Sequence, residues 1–240
     1  MIYPKPHNTP IILLLTALLA CTQTSTEPAP TASPPLQEHI SPIPLTLEAL
    51  NDFQWLNKPD SFGVSNDTLR VLTASATDFF NNPEDSSIAA TAPFLYGEID
   101  GDFVARALVR PDFSSMWNAV SLMVHIDEKH WIKFAFENSD ATGKSIVTVV
   151  TKGVSDDANG VILNEHDQVW LKLIRKNNLY AMHWSLDGRD YKMARLTAIP
   201  QVDSVKIGVE FQSPLDSIAL HEVLHFDLEA LTVEDLRKGE

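Results

Sequence analysis

The sequence predicts an all-β fold, a jelly-roll β-sandwich of two antiparallel sheets. About ten to twelve short runs show the two-residue alternation of strands, separated by residues that favour turns. No run of comparable strength follows the helical period over several turns. The chain has 240 residues, 44% of them hydrophobic, which is enough for one domain with a substantial core.

The first 43 residues are predicted to lie outside this fold. Lys5 and His7 precede an apolar run at 11–20, which is too short to span a bilayer and fits a signal peptide at 1–20. The run ends in Leu-Leu-Ala-Cys, which resembles the bacterial lipobox. Cys21, the only cysteine in the chain, is therefore the predicted lipidation site. The alternative is an ordinary secretory signal with an incidental cysteine.

Residues 21–43 are rich in Pro, Ser and Thr, which predicts a disordered tether, and the jelly-roll domain is assigned to 44–240. Thr22 follows the cysteine where Asp would favour retention in the inner membrane. The predicted location is the cell envelope with a lipid anchor in the membrane, the outer membrane rather than the inner. Whether the domain faces the periplasm or the cell surface is left open.

The strands are predicted from alternation and from β-branched and aromatic content. In chain order they are 54–58, 68–73, 90–95, 102–109, 119–126, 131–138, 146–152, 169–175, 179–186, 191–196, 205–211 and 222–228. Segment 60–64 is predicted to be a turn, and 77–83 a loop that carries two aromatics. A short helix is predicted from Thr232, because Asp235 would complete a weak capping box.

The hairpin formed by 119–126 and 131–138 organises the prediction. Along its second strand the two-residue period separates two faces. Ile132, Phe134 and Phe136 form the face predicted to be core, and Trp131, Lys133, Ala135 and Glu137 form the opposite face. The second face mixes an aromatic ring with polar groups, as a ligand-binding sheet face does.

The candidate ligand is a polysaccharide or oligosaccharide. Aromatic rings stack on sugar faces, and Lys, Glu and Gln form hydrogen bonds to hydroxyl groups. The candidate binding residues are His125, Trp131, Lys133, Glu137, Glu210 and Gln212. The alternative is that Trp131 packs under a covering loop and the charged groups are merely solvated.

Charge and motifs exclude several other classes of partner. The net charge of −14 argues against nucleic acid, whose phosphates it would repel, and means that membrane contact requires the anchor. The sequence contains no Gly-rich phosphate loop, and no cofactor is predicted. The oligomeric state is not indicated.

Two motifs suggest chemistry. Glu98-Ile-Asp100-Gly-Asp102 resembles the Glu-x-Asp-x-Glu strand motif of jelly-roll glucanases, but a solvated acidic turn explains it equally simply. His221-Glu222-Val-Leu-His225 matches a zinc-peptidase motif that requires a helix. On the predicted strand, residues four apart are separated by about 13 Å. No catalytic residue and no metal ligand is therefore assigned.

An ordered series of segments resembles a known family. The segments are 77–80 (Thr-Asp-Phe-Phe), 100–103 (Asp-Gly-Asp-Phe), 122–128 (Leu-Met-Val-His-Ile-Asp-Glu), 131–133 (Trp-Ile-Lys), 184–188 (Trp-Ser-Leu-Asp-Gly) and 208–214 (Gly-Val-Glu-Phe-Gln-Ser-Pro). Together they resemble domain-of-unknown-function family 1349, the "regulation of enolase protein" family, over about residues 50 to 230. The resemblance implies a concanavalin A-like lectin/glucanase fold, and a sugar-related role only by analogy. His125 stands where the family often has Arg.

These observations favour an envelope-anchored lipoprotein that binds carbohydrate on the concave face of a jelly roll without catalysis. One alternative is a glycoside hydrolase or lyase that uses carboxylates of that face. Another is a structural or protein-interaction module of the cell envelope.

Overall fold

The computed structural model describes residues 52–215 and 217–240. The predicted signal peptide, Cys21 and the tether lie outside the described residues, as does the predicted start of the domain at residue 44. No helix in the described part of the chain is long and apolar enough to cross a membrane.

The described residues form sixteen strands in two large antiparallel sheets and one small one. The strands are β1 (Gln54–Leu56), β2 (Ser61–Ser65), β3 (Thr68–Thr73), β4 (Phe79–Asn81), β5 (Ile88–Ala90), β6 (Phe94–Asp100), β7 (Phe103–Arg110), β8 (Ala119–Asp127), β9 (His130–Ser139), β10 (Gly143–Lys152), β11 (Val154–Ile162), β12 (Val169–Lys176), β13 (Leu179–Ser185), β14 (Lys192–Ala198), β15 (Ser204–Gln212) and β16 (Ala219–Glu229). Sheet I has the order β1-β6-β15-β8-β9-β10-β11, and sheet II has the order β14-β13-β12-β7-β16-β3-β2. The predicted jelly-roll sandwich is confirmed.

The main core lies between the two sheets. Sheet I contributes Ile132, Phe134 and Phe136 from β9, all fully buried. Sheet II contributes Phe103 and Leu171, which are also fully buried. The alternation that predicted one apolar face on β9 is therefore correct, because those side chains project towards the opposite sheet.

Four local predictions are wrong for identifiable reasons. The segment predicted to turn at 60–64 contains β2, and the predicted loop at 77–83 contains β4. Strand β11 was missed because it lies at the edge of sheet I, where its exposed side chains carry no core pattern. The helix predicted from Thr232 is absent. Asp235 instead accepts backbone N–H bonds from Arg237 and Lys238 in a turn.

Strands β4 and β5 form a small hairpin that packs on the outer face of sheet I. The Asn81 side chain donates to the carbonyls of Gly153, at 3.0 Å, and of Glu128, and its backbone N–H donates to Ser155 Oγ at 2.9 Å. These bonds attach the hairpin to the turns that join β8 to β9 and β10 to β11. Part of the outer face is thereby covered, which decides where a ligand can reach it.

Candidate functional site on the outer face of sheet I

All six candidate binding residues lie on the outer face of sheet I. Residues directly opposite each other in neighbouring antiparallel strands point to the same side. The cross-strand pairs are Lys206↔His125, His125↔Trp131, Met123↔Lys133, Gln212↔Ala119, Ala119↔Glu137, Glu210↔Ser121 and Ser121↔Ala135. The predicted common face is confirmed.

One half of this face is closed and apolar. The Trp131 ring is only 1% exposed, and the Phe79 ring of β4 packs against it edge-on with centroids 6.1 Å apart. The β4–β5 hairpin covers Trp131, which agrees with the alternative that this residue packs under a covering segment rather than contacting a ligand. His125 also packs edge-on against Phe79, and burial lowers the pKa of its imidazole. Neither ring lines the cavity described next.

The other half of the face contains a cavity of about 470 Å³. It lies between the β4–β5 hairpin and the strands β9, β10 and β11. Its walls are formed by Asp78, Phe80, Asn82, Pro83, Glu84, Trp117, Lys133, Glu137, Ser139, Asp140, Val147, Val149, Asp157, Asn159 and Gln212. Three of the six predicted residues, Lys133, Glu137 and Gln212, therefore line one cavity.

Lys133 supplies the positive charge of this cavity. Its Nζ donates to Asp78 Oδ1 at 2.9 Å and to Gln212 Oε1 at 2.5 Å, and its side chain is 3% exposed. Burial alone would lower the pKa of Lys133, but the carboxyl groups of Asp78, Glu210 and Glu137 outweigh burial and raise it. The ammonium therefore stays charged and ties β9 to the segment that enters the hairpin.

Gln212 fixes an aromatic residue at the cavity. The Gln212 Nε2 donates to the backbone carbonyl of Trp117 at 2.8 Å. The backbone N–H of Trp117 donates to the backbone carbonyl of Asn138 at 2.7 Å. Trp117 has a φ of 63°, a left-handed conformation that is unfavourable for a bulky side chain. Such strain persists where surrounding bonds enforce it, and it is concentrated at functional sites. Trp117 is half-buried and lines the cavity.

Glu137 is the most unusual group in the cavity wall. It is 8% exposed, and among the described residues its carboxyl group has no hydrogen-bond partner. Burial raises the pKa of Glu137 to about 8, against the opposing effect of the Lys133 ammonium. At neutral pH the carboxyl group is mostly protonated, so it can donate a hydrogen bond as well as accept one.

Glu210 lies beside this group but outside the cavity wall. It is fully buried, and both of its carboxyl oxygens lack a hydrogen-bond partner in the part of the chain that the structure describes. Burial raises the pKa of Glu210 to about 7, and Lys133 opposes the rise. Glu210 therefore belongs to the electrostatic surroundings of Lys133 and does not contact a ligand in the cavity directly.

The acidic motif of β6 lies apart from the cavity. The Glu98 side chain is 60% exposed and lies 3.6 Å from Lys206 Nζ. Asp100 is exposed as well, and Asp102 accepts a hydrogen bond from the backbone N–H of Asn177. Glu98 and Asp100 are therefore solvated side chains at the end of strand β6, immediately before the turn into β7.

The His-Glu-x-x-His match lies on strand β16, as predicted. His221 is fully buried; its Nδ1 accepts from the Asp112 N–H, and its Nε2 lies 3.1 Å from the Gln212 carbonyl. His225 Nε2 instead lies 2.7 Å from Asp227 Oδ2. Within residues 52–215 and 217–240, no group of three or more His, Cys, Asp or Glu is placed to hold a metal ion.

Several cavity residues were not identified from the sequence. Phe80 and Asp78 belong to the aromatic segment that was noted as a loop, so a partial signal existed. Trp117 stands alone between strands and follows no period. Asp157 and Asn159 lie on β11, the strand that the polar sequence concealed.

Comparison with known proteins adds the family. The model of a protein family of unknown function, DUF1349, matches residues 55–231. The chain belongs to this family. A relative from Saccharomyces cerevisiae, "Regulation of enolase protein 1", is 27% identical over 159 residues, which cover 66% of this chain and 80% of the relative.

Solved structures agree with the fold. A functionally unknown protein from Saccharomyces cerevisiae superposes with a TM-score of 0.71 at 24% identity, covering 77% of this chain and 99% of that one. A xylan β-1,4-xylosidase from Bacillus halodurans superposes with a TM-score of 0.58 at 11% identity, covering 72% of this chain but 35% of the xylosidase. These superpositions show that the β-sandwich fold is shared with the yeast protein and with part of the xylosidase.

Proposed function

We propose that this domain binds a carbohydrate in the cavity of sheet I without transforming it. The observation that carries the proposal is the cavity wall itself, where the half-buried rings of Phe80 and Trp117 accompany carboxyl and amide groups. Aromatic rings offer an apolar surface to the C–H face of a sugar, and the polar groups orient its hydroxyls.

The polar groups of the cavity can both donate hydrogen bonds to sugar hydroxyl groups and accept hydrogen bonds from them. A protonated Glu137 donates a hydrogen bond, whereas the side-chain oxygens of Asp140 and Asp157 accept hydrogen bonds. Each sugar hydroxyl is both a donor and an acceptor, so such a mixed wall can satisfy it. Lys133 and Gln212 bond mainly to the protein, and their role is to hold Asp78 and Trp117 in place.

Binding would be tested by presenting the purified domain to a glycan array and titrating the best oligosaccharide by calorimetry. We expect at least one glycan to bind, and Trp117→Ala to weaken that binding about tenfold or more. Trp170→Ala is the matched control, a half-buried tryptophan on sheet II, and should leave affinity unchanged. Absence of binding to every glycan would contradict the proposal.

A second candidate function is cleavage of a glycosidic bond, as a glycoside hydrolase or a lyase. It is favoured by one observation: Glu137, with its raised pKa, lines the same cavity as Asp140 and Asp157. Glycosidases use a protonated acid together with a second carboxyl group at the same site. Release of new reducing ends, abolished by Glu137→Gln, would favour this function over binding alone.

The envelope location is proposed from the sequence. The Leu-Leu-Ala-Cys run and the Pro/Thr-rich segment support lipidation at Cys21 and an anchor in the outer membrane. Lipid chains at one residue supply the hydrophobic contact that an acidic domain lacks. Cys21→Ser should move the protein from the membrane fraction to the soluble fraction. Retention of a correctly processed Cys21→Ser protein in the membrane fraction would contradict the anchor.

A further inference from the structure

The cavity wall contains more carboxyl groups than the binding of a neutral sugar requires. The described residues that line it include five carboxyl side chains: Asp78, Glu84, Glu137, Asp140 and Asp157. Against them stands one ammonium group, that of Lys133, and it is already bonded to Asp78 and Gln212. The electrostatic potential inside the cavity is therefore negative, which attracts cations and repels anions.

Glu137 gives a second and independent indication that the cavity accepts a ligand with a positively charged donor group. Two other carboxylates of the described fold have partners: the buried Asp227 accepts from Arg106 at 3.0 Å, and the half-buried Glu222 accepts from Arg110 at 2.8 Å. The buried Glu210 has none, but it lies outside the cavity wall. Glu137 is 8% exposed and lines the cavity without a hydrogen bond to any described residue. A carboxyl group that is largely withdrawn from water and bonded to no other side chain gains from a hydrogen-bond donor that a ligand supplies.

We infer that the cavity binds an amino sugar, and that the sugar's ammonium group donates to the Glu137 carboxylate. This inference rests on the proposed carbohydrate binding and specifies the class of sugar. The ammonium supplies the counter-charge that the four carboxyl groups not bonded to Lys133 lack, and the rings of Phe80 and Trp117 contact the sugar's apolar face.

The proton balance follows from the state of Glu137. In the empty cavity the Glu137 carboxyl group is mostly protonated at neutral pH. When the ammonium binds, Glu137 releases its proton to solvent and the two groups form an ion pair. Uronic acids and phosphorylated sugars are disfavoured, because their anions would approach Asp140 and Asp157.

The experiment compares two β-1,4-linked tetrasaccharides that differ only at nitrogen. Glucosamine tetramer carries free ammonium groups, and N-acetylglucosamine tetramer carries neutral amides. Calorimetric titration of the domain at pH 7 should show the glucosamine tetramer binding at least about tenfold more tightly, with a preference that shrinks as salt rises. Glu137→Gln should reduce the preference to less than about threefold.

Two further variants control for folding and for location. Asp157→Asn alters an exposed residue of the cavity wall, so it should fold normally and still reduce the preference for the ammonium sugar. Glu98→Gln removes an exposed acid of the same sheet face outside the cavity and should leave the preference unchanged. Thermal unfolding of each variant shows whether the domain is intact.

The outcomes separate this inference from the proposed function. Equal or tighter binding of the N-acetylated tetramer overturns the amino-sugar inference and leaves carbohydrate binding standing. The same holds if only an unrelated array glycan binds. If no glycan binds at all, both fail. Spermidine binding as tightly as the glucosamine tetramer would show a cation site with no selectivity for sugar and would also overturn the inference.

Discussion

Strand β9 has two faces that are buried equally deeply but composed differently. The inner face places Ile132, Phe134 and Phe136 in the core between the sheets. The outer face places Trp131, Lys133 and Glu137 beneath or beside the β4–β5 hairpin. The inner face buries apolar atoms alone, and the outer face also buries an ion pair and a carboxyl group without a partner.

The difference shows that burial depth and stabilisation are separate properties. Each apolar side chain of the inner face gains free energy by leaving water. Glu210 loses hydration without gaining a hydrogen bond, and burial raises the pKa of Glu137, so the polar half of the outer face opposes folding. A protein retains such an arrangement where function requires it. The predictions below test this contrast, from the largest expected effect to the smallest.

The apolar half of the outer face should behave like the core. Trp131→Ala and Phe134→Ala should each lower the free energy of unfolding by about 3–5 kcal/mol, because both delete a fully buried ring. Urea denaturation of the two variants measures the losses. If Trp131→Ala costs less than about 1 kcal/mol, the ring is accessible and the hairpin does not close over it.

Removal of the Lys133–Asp78 ion pair should have the next largest effect on the free energy of unfolding. Lys133→Met leaves Asp78 and the two buried glutamates without their cation, and we expect a loss of about 3 kcal/mol at pH 7. The double variant Lys133→Met, Asp78→Asn should recover part of it. Lys144→Met, which breaks an exposed pair with Asp167, is the control and should cost less than about 1 kcal/mol. Equal losses of unfolding free energy in the Lys133 and Lys144 variants would contradict a special role for Lys133 among the buried carboxyl groups.

Stability should depend on pH through Glu137. Its pKa is raised in the folded state to about 8, from an ordinary value of 4.5. The protonated form is therefore favoured by folding, and the contribution is complete below about pH 4.5 and is lost as the pH rises through 8. We expect unfolding free energy to fall by on the order of 1–3 kcal/mol between pH 5 and 9.

The matched variants separate Glu137 from other titrating groups. Glu137→Gln keeps the shape without ionising, so it should flatten the pH profile and exceed the wild type in stability at pH 8 to 9. Glu98→Gln, at an exposed position, should follow the wild-type profile. Thermal unfolding in a series of buffers provides the measurement. If the stability of Glu137→Gln depends on pH as steeply as that of the wild type, another group causes the pH dependence.

The smallest stability effect should come from Trp117. Trp117→Gly removes the steric cost of a φ of 63° while it also removes ring contacts, so the net change should be within about 1 kcal/mol. Binding of the array-selected glycan should nevertheless weaken about tenfold or more. A large loss of stability would mean that the ring serves packing, and unchanged binding would exclude it from the ligand site.

The sandwich and the division of β9 into two faces could be predicted, because alternation along a strand is a local property of the sequence. The placement of Glu210 and Gln212 on the same face as Lys133 followed from the same alternation on β15. The histidines of β16 were also interpreted correctly as part of a strand, since the residues around them alternate as in a strand although the two histidines have helical spacing.

The cavity itself could not be predicted. Its lid comes from β4, a three-residue strand without a readable period, and one wall comes from the polar edge strand β11. Whether Trp131 is accessible depends on where that hairpin packs, which is a long-range contact. Trp117 is positioned by bonds to Asn138 and Gln212, which are distant in sequence, so no local pattern marks it.

The central claim is that the polar half of the outer face of sheet I is the ligand site. A crystal structure of the domain with the glucosamine tetramer tests it most directly. The account predicts a sugar ring in the cavity in contact with Trp117, with its nitrogen within hydrogen-bond distance of the Glu137 carboxylate. A sugar bound elsewhere, such as beside Glu98 and Asp100, with the cavity unchanged, would contradict it.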